Sequence, residues 1–219
     1  VDARSIAAAG TVSVVELDGK PREVTQLRVG LHPSEVLLSP DGKRLYVANV
    51  GGDSVSVIDP VARPVVAALN TKADPSLPWG SLSDGLALSE DGRTLFVANA
   101  GLNAVACIRL DQPEAPPRLI PAGWYPGGVL VRGGELFVSN VRNGLQKIPP
   151  AKDEAEVLAR DARARGNAHL AFALRSAERS TSDVKPVPVP AKVGEPSVIK
   201  HVVYVIKENK TYDQLLGDL

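Results

Sequence analysis

Two oxygen-bearing side chains that suit metal binding stand side by side near the carboxyl end of the chain, at Glu208 and Asn209. Carboxylate and amide oxygens are hard ligands, which Ca²⁺, Mg²⁺ and Mn²⁺ prefer. Two further polar residues, Thr211 and Asp213, follow closely. The same residues also fit a plain strand-end loop with a helix cap, so residue types alone leave both interpretations open.

The element that must position these side chains is the apolar stretch at residues 199–207, which reads Ile-Lys-His-Val-Val-Tyr-Val-Ile-Lys. A near-continuous apolar run is typical of a strand buried on both faces of a parallel sheet. In open α/β sheets, ligands bind at the carboxyl ends of such strands. We therefore predict that residues 199–219 hold the first strand of an α/β domain, a polar loop at its carboxyl end and the beginning of a helix.

The stretch His-Val-Val-Tyr-Val-Ile-Lys-Glu-Asn-Lys-Thr-Tyr-Asp resembles the opening motif of the phosphoesterase family of bacterial phospholipases C and acid phosphatases, in the alkaline-phosphatase-like superfamily. The resemblance implies that Glu208 and Asn209 bind a divalent cation (Ca²⁺, Mg²⁺, Mn²⁺ or Zn²⁺) and that Thr211 and Asp213 support the loop. Lys210 stands where the family usually has Arg, which weakens a bidentate contact. The family's nucleophile and its later Asp and His ligands have no counterpart in these residues, so we assign no catalytic residue.

A repeated segment organises the first two thirds of the chain. Residues 39–49 read Ser-Pro-Asp-Gly-Lys-Arg-Leu-Tyr-Val-Ala-Asn, residues 89–99 read Ser-Glu-Asp-Gly-Arg-Thr-Leu-Phe-Val-Ala-Asn, and residues 131–140 are a weaker copy. Asp-Gly and Gly-Gly accept a positive φ and close tight hairpins between strands. The copies recur at roughly 40–50 residues, a spacing typical of propeller blades.

The strands around these hairpins are predicted from alternating apolar residues and turn signals. Two complete four-strand units are predicted, at residues 35–39, 44–48, 54–59 and 64–69, and at 85–89, 94–98, 104–110 and 118–121. Residues 11–17 and 24–29 are predicted as the last two strands of an earlier blade. A third unit has strands at 128–131 and 135–139, and its pattern ends after Asn143 and Gly144.

The repeat resembles the YVTN family of β-propeller repeats, named for the strand that reads Leu-Tyr-Val-Ala-Asn and Leu-Phe-Val-Ala-Asn here. We therefore expect a mainly β protein, with residues 1–145 forming an incomplete propeller of four-stranded antiparallel blades. Propellers of this family usually close with about seven blades. Two complete and two partial blades do not close a ring, so we expect one or both ends of the stack to be exposed or covered by something else.

A helical segment and a linker are predicted at residues 146–198. Residues 151–180 are rich in Ala, Arg, Glu and Leu, and Gly166-Asn167 is expected to divide them into two helices with a solvated charged face. Residues 181–190 end in Pro-Val-Pro-Val-Pro, which is typical of a polyproline spacer between domains.

The loops that end the repeated strands are expected to share one face of the propeller. They lie at residues 49–53, 99–103 and 140–143, and the insertion at residues 70–84 is expected to join them. Asp74, Trp79 and Asp84 in that insertion form a candidate ligand-binding loop. The alternative for the Asn residues of these loops is a local role, in which their side chains bond nearby backbone and shape each turn.

Charge and cysteine content exclude several classes of function. Lys plus Arg and Asp plus Glu both number 25, so no overall field favours nucleic acid. Cys107 is the single cysteine, so an internal disulfide is impossible, and its neighbours predict a buried, inert thiol. No apolar run approaches the roughly 20 residues that a membrane-spanning helix needs, so no transmembrane segment is expected.

The two resemblances together imply a piece of a bacterial two-domain protein, periplasmic or secreted, in which a YVTN-type propeller precedes a phosphoesterase. The longer protein is expected to hydrolyse phosphate esters with a divalent metal, while this chain by itself is expected to be inactive. The alternative is a propeller that binds a ligand, a protein or a cell-surface partner without catalysis. Glu208 and Asn209 would then have no catalytic context.

Overall fold

The structure is a computed structural model that describes residues 9–77, 80–142, 144–177, 185–190 and 195–202. The metal motif, with Glu208, Asn209, Thr211 and Asp213, lies outside the described residues, as does Trp79 of the candidate ligand loop. The chain divides into two compact units, Val1–Arg175 and Ser176–Leu219. The first unit, which contains every strand among the described residues, is considered first.

Four antiparallel sheets follow one another along the first unit. The half-blade consists of β1 (Gly10–Glu16) and β2 (Arg22–Val29). Blade 1 consists of β3 (Pro33–Leu38), β4 (Leu45–Asn49), β5 (Ser54–Ile58) and β6 (Val65–Asn70). Blade 2 consists of β7 (Ser83–Leu88), β8 (Thr94–Asn99), β9 (Ala104–Arg109) and β10 (Arg118–Pro121). Blade 3 consists of β11 (Pro126–Arg132), β12 (Glu135–Asn140) and β13 (Gly144–Ile148).

This architecture confirms the predicted fold class, a mainly β chain that forms part of a β-propeller. Blades 1 and 2 each contain four antiparallel strands in sequence order, and the half-blade pairs two strands only. Blade 3 differs from the expectation, because the chain after Asn143 continues into β13, which pairs with β12. The repeat pattern missed β13 because its sequence, Gly-Leu-Gln-Lys-Ile, buries a single side chain, Ile148, and lacks the Val-rich alternation of β5 and β9.

The hairpins between the first two strands of blades 1 and 2 are built from the same local bonds. In blade 1, the carboxylate of Asp41 accepts hydrogen bonds from the Ser39 hydroxyl at 2.6 Å and from the Lys43 backbone at 3.1 Å. The Ser39 hydroxyl also accepts a bond from the backbone of Arg44 at 2.9 Å. The hydrogen bond from Ser39 is the main reason why the pKa of Asp41 is lowered. The set recurs in blade 2, and Gly42 and Gly92 take φ values of 69° and 68°, which glycine adopts without strain.

The sheets stack face against face. We call the face of each blade that packs on the preceding sheet its backward face, and the opposite face its forward face. The forward face of blade 1 and the backward face of blade 2 form the main hydrophobic core, which includes Val55, Leu95 and Ile108. A smaller cluster joins blade 2 to blade 3, and another joins the half-blade to blade 1.

Two helices follow blade 3, α1 (Glu154–Asn167) and α2 (Leu170–Ala177). The break after Asn167 lies where Gly166-Asn167 predicted it, and Asp153 caps α1 by accepting a bond from the Glu156 backbone. α1 packs along β10, the outermost strand of blade 2. The expected solvated charged face is therefore incorrect in part, because buried Asp161 and its partner Arg165 dock α1 on the sheet.

Beyond the last two residues of α2, the second unit is described at residues 185–190 and 195–202. Within it, Val187 and Ser197 form an isolated parallel bridge, and the Val198 backbone donates a bond of 3.3 Å to the Val187 carbonyl. Residues 199–202 form no strand, and the rest of the predicted strand lies outside the described part of the chain. None of the helices that the structure describes is both long and apolar enough to cross a lipid bilayer.

Candidate functional site

The candidate site is the end of the sheet stack at which β4, β8 and β12 finish, which we call the loop face. Two of these strands run into short 3₁₀ turns, η1 (Val50–Gly52) and η2 (Ala100–Leu102). The segments that lead into β3, β7 and β11 lie at the same end, because their carbonyls bond the residues after β4, β8 and β12. The predicted common face for the repeated loops is thus present in the structure.

Each lead-in segment turns through a residue with positive φ just before its inner strand. His32, Leu82 and Tyr125 have φ values of 51°, 53° and 58°. Their carbonyls accept bonds from Val50, Ala100 and Val141 at 3.0 to 3.1 Å. A side chain other than glycine in this region costs of order 1–3 kcal/mol, and such residues cluster at functional sites. The backbone bonds to these three carbonyls therefore hold each corner in the same strained conformation.

Residues at the ends of the 3₁₀ turns clamp each blade to the next one. The Asp53 carboxylate accepts hydrogen bonds from the backbones of Gly80 and Leu82, at 2.7 and 3.0 Å. At the equivalent position of blade 2, the Asn103 side chain accepts a bond from the Tyr125 backbone at 2.9 Å. These clamps fix the lead-in segments of blades 2 and 3, including the backbone of Tyr125.

The Asn residues at the strand ends are buried and serve the structure of the turns and their neighbours. Asn49 donates to the hydroxyls of Ser54 and Ser56, at 3.2 and 3.0 Å. Asn99 reaches further, donating to the Thr71 carbonyl at 2.8 Å and accepting from Ser83 at 3.2 Å. The local role predicted for these residues thus holds within blade 1, whereas Asn99 ties the insertion to blade 2.

Two exposed aromatic residues of the loop face lie in the lead-in segment of blade 3. Trp124 is 57% exposed and Tyr125 is 39% exposed. The guanidinium carbon of Arg142 lies 5.3 Å from the centre of the Trp124 ring, a cation–π contact. This segment aligns with residues 30–33 of blade 1, but the sequence pattern did not lead us to predict a binding role for it. The feature that could have indicated binding is the pair Trp-Tyr between Gly and Pro, where blade 1 has Leu-His.

Two residues of the predicted ligand loop, Asp74 and Asp84, lie within the described residues. Asp74 forms its own turn, accepting bonds from the Ser76 hydroxyl at 2.5 Å and from the Ser76 backbone at 2.9 Å, and these bonds lower its pKa. The adjacent Ala73 carbonyl accepts a bond from Arg165 of α1, at the outer side of blade 2. Asp84 instead lies on β7, the innermost strand of blade 2. The two carboxylates therefore occupy different sides of the blade.

Besides Asp84, a second acidic residue lies on an innermost strand. Glu35 on β3 reaches across to blade 2, where its carboxylate accepts a 2.6 Å bond from the backbone of Leu86. Burial, with a smaller effect from the charge of Asp84, raises the pKa of Glu35 despite that bond. Within the described part of the chain, no group of three His, Cys, Asp or Glu side chains is placed to hold a metal ion.

No known protein family profile matches the chain, and no curated protein matches it significantly. Among solved structures, hydrazine synthase of Kuenenia stuttgartiensis is 25% identical with a TM-score of 0.52, over 67% of this chain and 41% of that one. Virginiamycin B lyase from Staphylococcus aureus is 18% identical with a TM-score of 0.44, over 67% of this chain and 50% of that one. A nidogen/laminin complex is 18% identical with a TM-score of 0.46, over 64% of this chain and 56% of that one. The chain thus spans 41% to 56% of the lengths of these structures, and the first match supports the sheet arrangement described above.

Proposed function

We propose that the partial propeller is a binding module that recognises a protein or cell-surface partner through its loop face. The observation that carries this proposal is an exposed group in which Trp124 and Tyr125 lie on the clamped lead-in segment of blade 3, and Arg142, which follows β12, lies over the Trp124 ring. Trp, Tyr and Arg are the residue types most enriched at the hot spots of protein interfaces. Aromatic side chains supply large contact areas, and their polar ends find hydrogen-bond partners at an interface.

The rigidity of this segment favours binding. The Tyr125 backbone is held by Asn103 from blade 2 and by the bond from Val141 within blade 3. A surface held in its bound shape loses little conformational entropy on association, which improves affinity. The site is therefore expected to bind without a large rearrangement of the loop face.

Capture from a cell-envelope extract tests this proposal when the wild-type chain is compared with loop-face variants. We expect a distinct set of proteins to be captured by the wild-type chain, and Trp124→Ala and Arg142→Ala to weaken binding of the purified partner by about 10-fold or more. Arg93→Ala is the matched control, because Arg93 lies in the hairpin at the opposite end of β8 and is exposed. Equal binding by all four proteins in calorimetry would contradict a role for the loop face.

We further propose that the blades belong to a longer two-domain protein, periplasmic or secreted, whose second domain is a metal-dependent phosphoesterase. The support is the motif that begins in the apolar stretch and continues through Glu208, Asn209, Thr211 and Asp213. The carboxylate of Glu208 and the amide oxygen of Asn209 are donors of the type that a divalent cation prefers. A cation bound there would polarise the phosphoryl group of a phosphate ester for attack by a hydroxyl nucleophile.

This second proposal is tested in the longer protein by Glu208→Ala. The change is expected to remove both the bound metal, measured by elemental analysis, and the hydrolysis of an aryl phosphate. Thr211→Ser is the matched control, because it keeps the hydroxyl, and it is expected to retain the metal. The 219-residue chain itself is expected to show no turnover with added Ca²⁺, Mg²⁺, Mn²⁺ or Zn²⁺. Retention of metal by the Glu208→Ala protein would overturn the assignment.

A further inference from the structure

A cavity of about 410 Å³ lies between blades 2 and 3, beside the beginning of α1. Gly134, in the hairpin that precedes β12, also lines it, so the cavity lies away from the loop face, where β12 ends. Its walls are mostly apolar and come from the forward face of blade 2, from blade 3 and from α1: Phe96, Ile120, Leu136, Ile148 and Val157. Small-molecule pockets in proteins measure roughly 300–1,000 Å³ and are lined mainly by apolar side chains. The cavity thus has the size and the lining of a ligand site.

The path of the chain after blade 3 explains the cavity. In the gap between blades 1 and 2, Leu119 from the fourth strand of blade 2 and Leu170 from α2 complete the hydrophobic core. From β13, in contrast, the chain passes directly to α1, which packs on blade 2, so that no described fourth strand of blade 3 enters the next gap. The difference appears in two aromatic side chains at the same register position. Tyr46 of blade 1 is 6% exposed, whereas Phe96 of blade 2 is only half-buried.

The charges around the cavity are matched, which favours an uncharged ligand. Each of the three arginines that line it has a carboxylate within ion-pair distance: Asp111 at 2.7 Å from Arg109, Glu154 at 3.8 Å from Arg118 and Glu156 at 2.5 Å from Arg160. Cys107 also lines the cavity, and burial raises the pKa of its thiol to about 12, so it is uncharged at neutral pH. A charged group that is buried without a partner is strongly disfavoured. An anionic or cationic ligand would therefore have to break one of these pairs.

We propose that the cavity between blades 2 and 3 binds an uncharged, apolar small molecule about the size of two linked aromatic rings. An apolar protein cavity of about 150 Å³ stays dry and binds benzene, so a cavity more than twice as large has room for two rings. Burial of the ligand's apolar surface in this cavity supplies the affinity. The proposal does not depend on either proposed function, because it uses neither the loop face nor the metal motif.

Titration with N-phenylnaphthylamine, an uncharged dye that fluoresces in apolar surroundings, tests the proposal. We expect saturable binding of one dye molecule per chain. Anilinonaphthalene sulfonate has the same two-part ring skeleton and adds one negative charge. It is expected to bind about 10-fold or more weakly, because its charge has no unmatched partner in the cavity. Equal or tighter binding of the sulfonate would overturn the assignment of an uncharged ligand.

A cavity-filling variant locates the dye. Ala151 lines the cavity from the segment between β13 and α1 and is half-buried, so Ala151→Trp places an indole ring in the space without altering a strand. The change is expected to weaken dye binding by about 10-fold or more. Ala155→Trp is the matched control, because Ala155 is exposed on α1 and does not line the cavity, and it is expected to bind like the wild type. Circular dichroism and melting temperatures verify that both variants are folded.

Methyl NMR of the wild-type chain gives a readout that does not depend on any variant. The dye is expected to shift the methyl resonances of Ile120 and Ile148, which line the cavity, and to leave Ile58 unchanged. Ile58 is buried between the half-blade and blade 1 and serves as the internal control. Absence of saturable dye binding would overturn the proposal. Unchanged binding by Ala151→Trp would do so as well, and so would shifts that do not include Ile120 and Ile148.

Discussion

At the scale of single residues, glycines decide how closely the lead-in segments approach the strand-end Asn residues. A Cβ placed on Gly30 would lie 2.6 Å from Cγ of Asn49, and one on Gly123 would lie 2.8 Å from Cγ of Asn140. Asn49 is fully buried and bonded to Ser54 and Ser56, so it cannot move aside cheaply. The glycine three residues before the proline, which recurs in blades 1 and 3, is therefore required because a Cβ would clash with the strand-end Asn side chain.

Gly30→Ala is expected to destabilise the protein by about 1–3 kcal/mol, the usual cost of overpacking a filled site. Urea unfolding followed by circular dichroism measures the change. Gly166→Ala in α1 is the control, because no atom lies within 4 Å of the added Cβ. That substitution is expected to stabilise the helix by about 0.4–1 kcal/mol. Equal effects of the two substitutions would show that the Asn49 contact does not matter.

The pKa of Glu35 predicts a stability difference that depends on pH. Its folded-state pKa is raised, chiefly by burial, so folding favours the protonated carboxyl. The contribution of Glu35 to stability is therefore complete below its ordinary value of 4.5 and is lost as the pH rises through the folded-state pKa. Glu35→Gln keeps an oxygen that accepts the Leu86 bond and removes the charge near Asp84.

We expect Glu35→Gln to raise the melting temperature at pH 7 and to have no such benefit at pH 3. Thermal melts across this range measure the difference. Glu114→Gln, in an exposed loop, removes the same formal charge and serves as control, with no gain expected at pH 7. A gain for Glu35→Gln that is independent of pH would contradict the role of the ionised carboxylate.

At the scale of elements, α1 closes the outer edge of blade 2. An outer strand presents free backbone groups, and proteins often cover such edges with a helix. The Asp161 carboxylate accepts a bond of 2.7 Å from the Leu119 backbone on β10 and a second bond of 2.7 Å from Arg165. Arg165 in turn donates to the carbonyls of Ala73 and Pro117. One ion pair thus joins the helix, the sheet and the insertion.

Asp161→Ala is expected to cost about 1–3 kcal/mol, because it leaves the buried Leu119 N–H without a partner. Glu154→Gln on the same helix is the control, since its ion pair with Arg118 spans 3.8 Å between exposed side chains. Exposed pairs contribute about 0–1 kcal/mol. Urea unfolding compares the two variants. Hydrogen exchange of Leu119 is also expected to accelerate in the Asp161→Ala variant only, and unchanged exchange would argue against the docking role.

At the scale of the whole molecule, stability depends on how closely the innermost strands of neighbouring blades approach each other. A Cβ on Gly85 would lie 2.7 Å from the Gly128 Cα and 2.8 Å from the Gly127 carbonyl, both of which are backbone atoms of blade 3. The equivalent residue of blade 1 is Glu35, whose side chain crosses to blade 2. This position is thus a glycine, Gly85, where the backbones of blades 2 and 3 come close together. It is a long side chain, Glu35, where that side chain bridges blades 1 and 2.

Gly85→Ala is expected to separate blades 2 and 3 and to lower stability by about 1–3 kcal/mol. Gly127→Ala is the matched control on the facing strand, because its nearest neighbour would be the Asp84 carboxylate at an ordinary 3.7 Å. Melting temperatures and hydrogen exchange of the β11 amides provide the measurement. Faster exchange in β11 is expected for Gly85→Ala alone, and its absence would refute the close-approach explanation.

Much of the fold was predictable because its turn chemistry is local. Ser39, Asp41 and Gly42 form their hairpin within a few residues, and the same set recurs in blade 2, so the pattern located eight strands of the two full blades. β13 was not predictable, because its apolar alternation is too weak. The ligand loop stays a prediction, and the structure places Asp74 in a local turn and Asp84 on an inner strand.

The amino-acid sequence by itself determined the antiparallel blades, their hairpins and the helix break at Gly166-Asn167, since each depends on the conformational preferences of adjacent residues. Only the tertiary structure decided which distant residues meet. The Asp53 carboxylate accepts a bond from the Leu82 backbone, and the Asp161 carboxylate accepts one from the Leu119 backbone. Leu145 remains exposed, although its equivalents in blades 1 and 2 are buried. These outcomes depend on the stacking of whole sheets, a property that no short segment of the chain contains.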